Sequence, residues 1–265
     1  AQHAENPSLG PRIVCCGYLL DGSTANWKHM GRPHADAKAL RKSIRHEVAR
    51  GVDAIKLYAN LTTEMIRVGV EESHCHHKWV TAHLGSVTAE DAAQAGLNEI
   101  QHLTGCGAAW KQSTQAEQDA LIDVLLKHQV VMTPTLVVWD RLGRILDRPF
   151  HFDSRRQWVH PCHLEIWDCF RNRFGPPEGR LAHQGPMPHL KRCLARMQQR
   201  GVTIALGTDT PFPHLVPGFS VHDELAMYVD AGIRPVDALR SATSVGAKVL
   251  GLESRVGRIA PGLEA

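Results

Sequence analysis

The chain has 265 residues, of which 43% are apolar and 22% are charged, an ordinary composition for a globular protein. The formal net charge of +3 is too small to predict nucleic-acid binding, and no apolar run reaches the roughly 18 residues that a membrane-spanning helix needs. The seven Cys include no CxxC pair, which favours free thiols, a reducing compartment and a cytoplasmic location.

Apolar runs of strand length alternate with amphipathic segments along the chain. The predicted strands are Arg12–Gly17, Val52–Tyr58, Trp79–His83, Asn98–His102, Val130–Val138 and Val202–Asp209. The predicted helices are Asp36–Arg50, Glu64–His77, Ala89–Ala95, Gln115–His128, His189–Arg200, Val221–Ala231 and Pro235–Leu250. We expect a loop at Leu19–Arg32 and a turn with a short strand at Val256–Gly262. This alternation predicts a parallel α/β sheet, either open or most of a (β/α)8 barrel.

The segment Trp139–Pro188 interrupts this alternation with about fifty residues of little periodicity. After a barrel strand, such an insertion is either a lid over the site or a surface excursion without a catalytic role. Its arginines either meet a substrate carboxylate or form a solvated basic face. They are Arg141, Arg144, Arg148, Arg155 and Arg156.

Four polar residues stand at or near the carboxyl ends of predicted strands, where parallel sheets place their chemistry. They are Lys56, His83, His102 and Asp209. A single strand-end histidine is more often a structural residue, and Thr208-Asp209 could simply begin a turn. A lysine within an apolar strand requires an anionic partner, a shifted pKa or a chemical modification. Together, two imidazoles and a carboxylate suit Zn²⁺ or a similar divalent ion.

The chain resembles the metal-dependent amidohydrolase superfamily, in its imidazolonepropionase-like and Xaa-Pro dipeptidase-like branch. The resemblance covers nearly the whole chain apart from the insertion, and it depends on the order of the motifs more than on any one of them. The matching stretches are Gly51–Tyr58, Val80–Gly85, Glu99–Leu103, Met132–Leu136, Ala205–Asp209 and Ser241–Thr243 through Gly257–Gly262.

This resemblance implies a (β/α)8 barrel and two divalent metal ions, with zinc as the expected metal. It implies that Lys56 reacts with CO2 to give a carbamate that bridges the metals, and that His83 and His102 bind the second metal. Asp209 is implied as a ligand of the first metal and as the general base and acid. Tyr58 and His222 lie near this end by the same comparison, with either substrate contact or a structural role.

One departure from the family concerns its first two ligands, a His-x-His pair after strand 1. The only such spacing here, His74-Cys75-His76, falls near a helix end before a strand, where a solvated end is expected more often than a metal site. By the family's order, strands 3–8 are present, Arg12–Gly17 is strand 3, and residues 256–265 begin the return to a β-sandwich. We therefore expect residues 1–265 to be a partial, incomplete barrel domain, with residues 139–188 inserted after strand 7.

The implied activity is a hydrolase that cleaves an amide, peptide-like or ester bond with a metal-activated hydroxide, acting on a small-molecule substrate. One alternative is a mononuclear deaminase or cyclic-amide hydrolase of the same superfamily, which would not need Lys56. Another is a non-catalytic remnant of the fold, which the missing His-x-His pair favours. Neither nucleic-acid nor membrane partners are expected, and a homo-oligomer is left open.

Overall fold

The computed structural model describes residues 10–147, 150, 152–174 and 185–264, with the backbone alone for residues 171–174. Within this part, six parallel strands form one sheet in the spatial order β2-β1-β3-β4-β5-β6. They are β1 (Leu19–Asp21), β2 (Gly31–Pro33), β3 (Ala54–Leu57), β4 (Trp79–Ala82), β5 (Glu99–Gln101) and β6 (Val131–Thr133).

Helices precede or follow nearly every strand of this sheet. Their bounds are α1 (Ala37–Ala49), α2 (Thr63–Cys75), α3 (Ala89–Gln94), α4 (Gly107–Trp110), α5 (Gln115–Lys127), α6 (Leu136–Gly143), α7 (Pro161–Phe174), α8 (Met187–Arg200), α9 (Phe219–Asp230), α10 (Pro235–Ala242) and α11 (Ser244–Val249). A 3-10 helix lies at Ser154–Trp158. None of the described helices is long and apolar enough to cross a membrane.

Side-chain caps fix where several helices begin. Asp36, Thr62 and Thr88 each accept a backbone N–H three residues ahead, at the starts of α1, α2 and α3. Thr114 and Glu117 form a reciprocal capping box at the start of α5. The six predicted helices from Asp36–Arg50 to Val221–Ala231 lie within two residues of the observed bounds. The seventh predicted helix, Pro235–Leu250, is two helices in the structure.

The strand register sorts side chains onto two faces. Lys56 on β3 is the register partner of Thr81 on β4, and Thr81 is the partner of Glu99 on β5. These three polar side chains therefore share one row and one face. Ile55 and Ile100 point to the opposite face, where they are fully buried in the apolar core beneath the helices. Polar chemistry is thus confined to the face away from the helices.

The predicted strand Arg12–Gly17 is wrong, and the predicted loop Leu19–Arg32 contains β1 and the first two residues of β2. Cys15 contacts the beginning of β3 through its backbone carbonyl, which accepts from the amides at positions 53 and 54. Gly17 then turns the chain with a φ of 68°, and regular pairing with β3 starts only at Leu19. The apolar pattern before Gly17 therefore marked a segment beside the sheet, not a member of it.

Two other predicted strands are shorter than their apolar runs. The Val130–Val138 prediction fails after Thr133, because Pro134 has no N–H and α6 begins at Leu136. In Val202–Asp209, Ile204 alone forms a bridge, to Met132 on β6. After Ala205 the chain leaves the sheet, since the next amide donates to the carbonyl of a helical residue, Ser241. In this region, hydrophobicity indicated burial without indicating regular pairing.

The C-terminal region also departs from the prediction. The predicted helix Pro235–Leu250 breaks at Thr243, whose φ of −124° and ψ of −95° are not helical. No strand forms over Val256–Gly262, which contains only turns and bends. Gly257 has a φ of 97°, and a Cβ there would lie 2.5 Å from Cβ of Ala247. Close packing against α11 therefore replaces the expected strand.

A central position of the sheet offers a test of this architecture. We predict that Ile100→Ala lowers the free energy of unfolding by about 2 to 5 kcal/mol, because it empties a fully buried site on β5. Urea denaturation measures this change. The matched variant Ile13→Ala, at a side chain that is 66% exposed, should change the free energy of unfolding by less than about 0.5 kcal/mol. Equal effects of the two substitutions would contradict this sheet order.

Candidate metal centre

Three of the four predicted site residues lie on neighbouring strands. Lys56 is the third residue of β3, and His83 and His102 directly follow β4 and β5. The backbone N–H of His83 donates to the Leu57 carbonyl at 3.1 Å, and that of His102 donates to the Thr133 carbonyl at 2.8 Å. Each histidine thus continues the ladder one residue past its strand, so both side chains are held at the carboxyl edge of the sheet.

The two imidazoles are neighbours. The ring centroids of His83 and His102 are 5.0 Å apart, and the ring of Tyr58 lies 4.9 Å from that of His83. The Tyr58 hydroxyl accepts a hydrogen bond from Nε1 of Trp27 at 2.7 Å. His222 lies exposed on α9, and within the described residues no hydrogen bond or ring contact joins it to this group. Its predicted substrate contact therefore remains a prediction, as does that of Tyr58.

Lys56 is buried, with 6% of its surface exposed. Its Nζ contacts Oε1 of Gln101, which lies on the same face of β5. Burial lowers the pKa of Lys56 to about 8, although the carboxylates of Glu99 and Asp209 oppose this shift. A large fraction of neutral amine is therefore present near physiological pH, which an exposed lysine would not have.

The histidines and the carboxylate show the same effect of burial. Burial, followed by the nearby Lys56 ammonium, lowers the pKa of His83 to about 4 and that of His102 well below its ordinary value. Burial raises the pKa of Asp209 to about 6, and Lys56 acts in the opposite direction. Both imidazoles are consequently neutral at pH 7, the form in which a histidine binds a metal ion.

The donor set tests whether these residues fit a metal. No group of three or more His, Cys, Asp or Glu that could hold an ion occurs among the described residues. His83 and His102 supply two neutral donors, and Lys56 can supply a third once it is no longer an ammonium, in the form of a carbamate if the resemblance holds. The hydroxyl of Thr81, the register partner of Lys56, is buried and has no hydrogen-bond partner within the described structure. An orphaned hydroxyl beside the lysine fits an added polar group there.

The His-x-His spacing at His74 and His76 lies elsewhere. His74 contacts Oδ1 of Asn98 at 3.0 Å, and His76 contacts the Glu72 carboxylate at 3.2 Å. Asn98 precedes β5, so this pair belongs to the amino edge of the sheet. The His74 and His76 side chains lie at the end of α2, they bind protein partners, and they are on the opposite edge of the sheet from His83.

The insertion contacts the loops beside the candidate site. Phe170 on α7 stacks on Trp27 with centroids 5.4 Å apart and meets Phe212 edge-on at 5.0 Å. Trp167 is buried, and its Nε1 donates to the Pro211 carbonyl at 2.9 Å. Because Trp27 binds Tyr58 and positions 211–212 closely follow Asp209, α7 lies against the carboxyl edge. This position favours the lid interpretation over a surface excursion.

The arginines of the insertion are engaged within the protein. Arg141 and Arg155 both pair with Asp223 on α9, at 2.8 Å and 3.2 Å. Arg144 pairs with Asp147 at 2.8 Å, and Arg156 lies over the Trp167 ring. Arg148 lies outside the described residues. These ion pairs anchor the insertion to α9, an outcome that matches neither a substrate-binding cluster nor a free basic face.

The sequence interpretation overlooked three polar residues beside the four predicted ones. Thr81 and Gln101 follow from strand alternation. Thr81 is two residues before His83, and Gln101 is two residues after Glu99, on the face of Lys56. Thr135 follows β6, and its hydroxyl lies 2.6 Å from Nδ1 of His102. No local pattern marked Thr135, since the segment was interpreted as a continuing strand.

Comparisons with known proteins agree with this fold. The chain is similar to bottromycin amidohydrolase, with 23% identity over 91% of this chain and 56% of that one at a TM-score of 0.71. It is similar to a Xaa-Pro dipeptidase crystallised with methionine in its active site, with 20% identity over 99% of this chain and 63% of that one at a TM-score of 0.68. It is also similar to the ochratoxinase of A. niger, with 19% identity over 94% of this chain and 52% of that one at a TM-score of 0.62.

The chain thus spans less than two thirds of the length of each of these structures. A search of curated proteins gives no match. The sequence profile of the Amidohydrolase family matches residues 1–265. The parallel α/β sheet described above is correspondingly an incomplete (β/α)8 barrel, and the chain belongs to the amidohydrolase family.

Proposed function

We propose that this chain carries the metal centre of a hydrolase that cleaves an amide, peptide-like or ester bond of a small molecule. The observation that carries the proposal is the pair of neutral imidazoles, His83 and His102, 5.0 Å apart at the sheet edge and close in the fold to a buried lysine. Family membership supports it, as do relatives whose names describe an amidohydrolase and a dipeptidase.

The ligands of one metal would be His83, His102 and the carbamate of Lys56, and Asp209 would be a ligand of the other. A divalent ion, with zinc expected, lowers the pKa of a bound water and polarises a scissile carbonyl. Asp209 accepts the proton of the attacking water at its carboxylate and returns it to the leaving group. A pKa of about 6 suits this exchange near neutral pH. Tyr58, hydrogen-bonded to Trp27 and with its ring 4.9 Å from that of His83, borders the space for the substrate.

A mononuclear deaminase or cyclic-amide hydrolase of the same family is the second candidate. It is favoured by the donor count, because the described residues contain no group of three His, Cys, Asp or Glu, which is fewer donors than the two metals of the resemblance need. The two candidates differ in their need for the lysine. Unchanged metal content and activity in Lys56→Ala would favour the mononuclear enzyme, whereas loss of both would favour the carbamate centre.

Metal content gives the most direct test of the assigned ligands. We predict that the chain binds zinc and that His83→Ala or His102→Ala weakens this binding by at least about 100-fold, because each removes one of three donors. Titration calorimetry and elemental analysis measure the change. His74→Ala and His76→Ala are matched controls at the opposite edge of the sheet and should retain the metal. Loss of zinc from the controls alone would reverse the assignment.

The buried amine predicts a pH dependence for carbamate formation. Only the neutral amine adds to CO2, forming an N–C bond at Nζ and releasing a proton. With a pKa of about 8, about half of Lys56 is neutral at pH 8, against roughly 0.3% of an ordinary lysine. Because the pKa is lowered, the ¹³C carbamate signal from labelled bicarbonate should increase as the pH rises through about 8.

The control for this experiment is a second lysine. Lys28 is exposed, so Lys28→Met should leave the carbamate signal unchanged while Lys56→Met abolishes it. A signal that survives in Lys56→Met would assign the carbamate to another amine.

The insertion predicts where substrate preference is set. We expect Phe170→Ala to change the ratio of kcat/KM values among N-acyl amino acids and dipeptides by about tenfold, since it opens the aromatic contact between Trp27 and Phe212. Zinc content should not change. Phe152→Ala, at a side chain that is 77% exposed, is the matched control. Equal loss of every activity together with the metal would show a structural role instead.

A further inference from the structure

Thr135 holds an unusual backbone conformation between β6 and α6. Its φ of 46° and ψ of 51° are left-handed, which is unfavourable for a β-branched side chain. The residue is buried, and its hydroxyl lies 2.6 Å from Nδ1 of His102. Neighbouring structure must maintain this conformation, because a threonine does not adopt it without support.

Glu224 provides that support from a distant part of the chain. Its side chain is fully buried, and its two carboxylate oxygens accept the backbone N–H groups of Leu136 and Val137 at 2.8 Å and 2.7 Å. These amides directly follow Thr135 and begin α6, where the helix dipole also favours a negative charge. The carboxylate on α9 thereby fixes the exact position at which the backbone turns.

Helix α6 in turn holds His102 at two places. Thr135 contacts the imidazole ring, and Nε1 of Trp139 donates to the backbone carbonyl of His102 at 3.1 Å. The Thr135 hydroxyl engages Nδ1 in one hydrogen bond, which favours a single tautomer and leaves Nε2 as the ring nitrogen that does not face Thr135. The orientation of His102 thus depends on the position of α6, and that position depends on Glu224.

We infer that Glu224 is a positioning residue, which holds Thr135 so that its hydroxyl selects the tautomer and orientation of His102. The competing interpretation is an ordinary helix cap that stabilises α6 and has no effect on the histidine. The consequence for metal binding rests on the proposed function, whereas the consequence for the ring of His102 does not.

The test uses the metal-free protein with ¹⁵N-labelled histidine at pH 8, where His102 is neutral. Its ring signals are assigned with His102→Gln. In the wild type, we expect a single tautomer, set by the contact with Thr135. In Glu224→Gln, the new amide N–H faces a backbone N–H, α6 shifts, and the ring signals should move towards a mixture of tautomers. Thr135→Val should produce the same mixture, and Thr135→Ser should restore the wild-type signals.

Two further measurements separate the alternatives. Glu72→Gln is the matched control, because Glu72 is also a buried carboxylate but pairs with Arg45 on the outer side of the fold. It should leave the His102 signals unchanged. The variant Glu224→Gln with Thr135→Val should show no larger change than either single variant, since both act through one contact.

A lowered unfolding temperature in Glu224→Gln with unchanged His102 signals would overturn the inference and leave a structural cap. If that variant does not fold, unchanged signals in Thr135→Val would overturn it equally. In zinc titrations, both variants should lose about 10- to 100-fold in affinity. A wild type that binds no zinc would refute the proposed function, while the tautomer result would still decide the role of Glu224.

Discussion

A lysine buried within a parallel sheet is the constraint on which the candidate site depends. An ammonium in this environment is costly, so the surroundings either neutralise Lys56 or supply a partner. The row that it shares with Thr81 and Glu99 contains both an orphaned hydroxyl and a carboxylate. The fold therefore tolerates a polar stripe on one face because the other face, with Ile55 and Ile100, supplies the apolar core.

The carboxyl edge collects side chains from segments far apart in sequence. Parallel register brings the ends of β4 and β5 together, which places His83 against His102. The insertion then closes over this edge through aromatic contacts, and the ion pairs of its arginines hold it to α9. The two histidines belong to the edge of the sheet, whereas the covering segment is held by contacts outside the sheet, of Trp167 with the Pro211 carbonyl and of Arg141 with Asp223.

Much of this arrangement could be predicted from the sequence. The α/β alternation, the barrel family and six helices are confirmed, because caps such as Thr114 and apolar periodicity are local signals. The strand ends could not be predicted equally well. An apolar run such as Val130–Val138 is buried in either a strand or a helix, and only tertiary pairing decides between them. The contacts of Glu224 could not be predicted for the same reason, since its partners lie 87 and 88 positions away in the sequence.

The contacts of Glu224 with residues far away in the sequence affect the order in which the fold forms. The loop closed between α6 and α9 is long, so its contacts form late compared with the local turns of β3, β4 and β5. During synthesis, the sheet that contains both histidines is complete before the segment that orients His102 has left the ribosome. The proposed metal centre would therefore reach its final geometry only after α9, in the C-terminal third of the chain, has packed against α6.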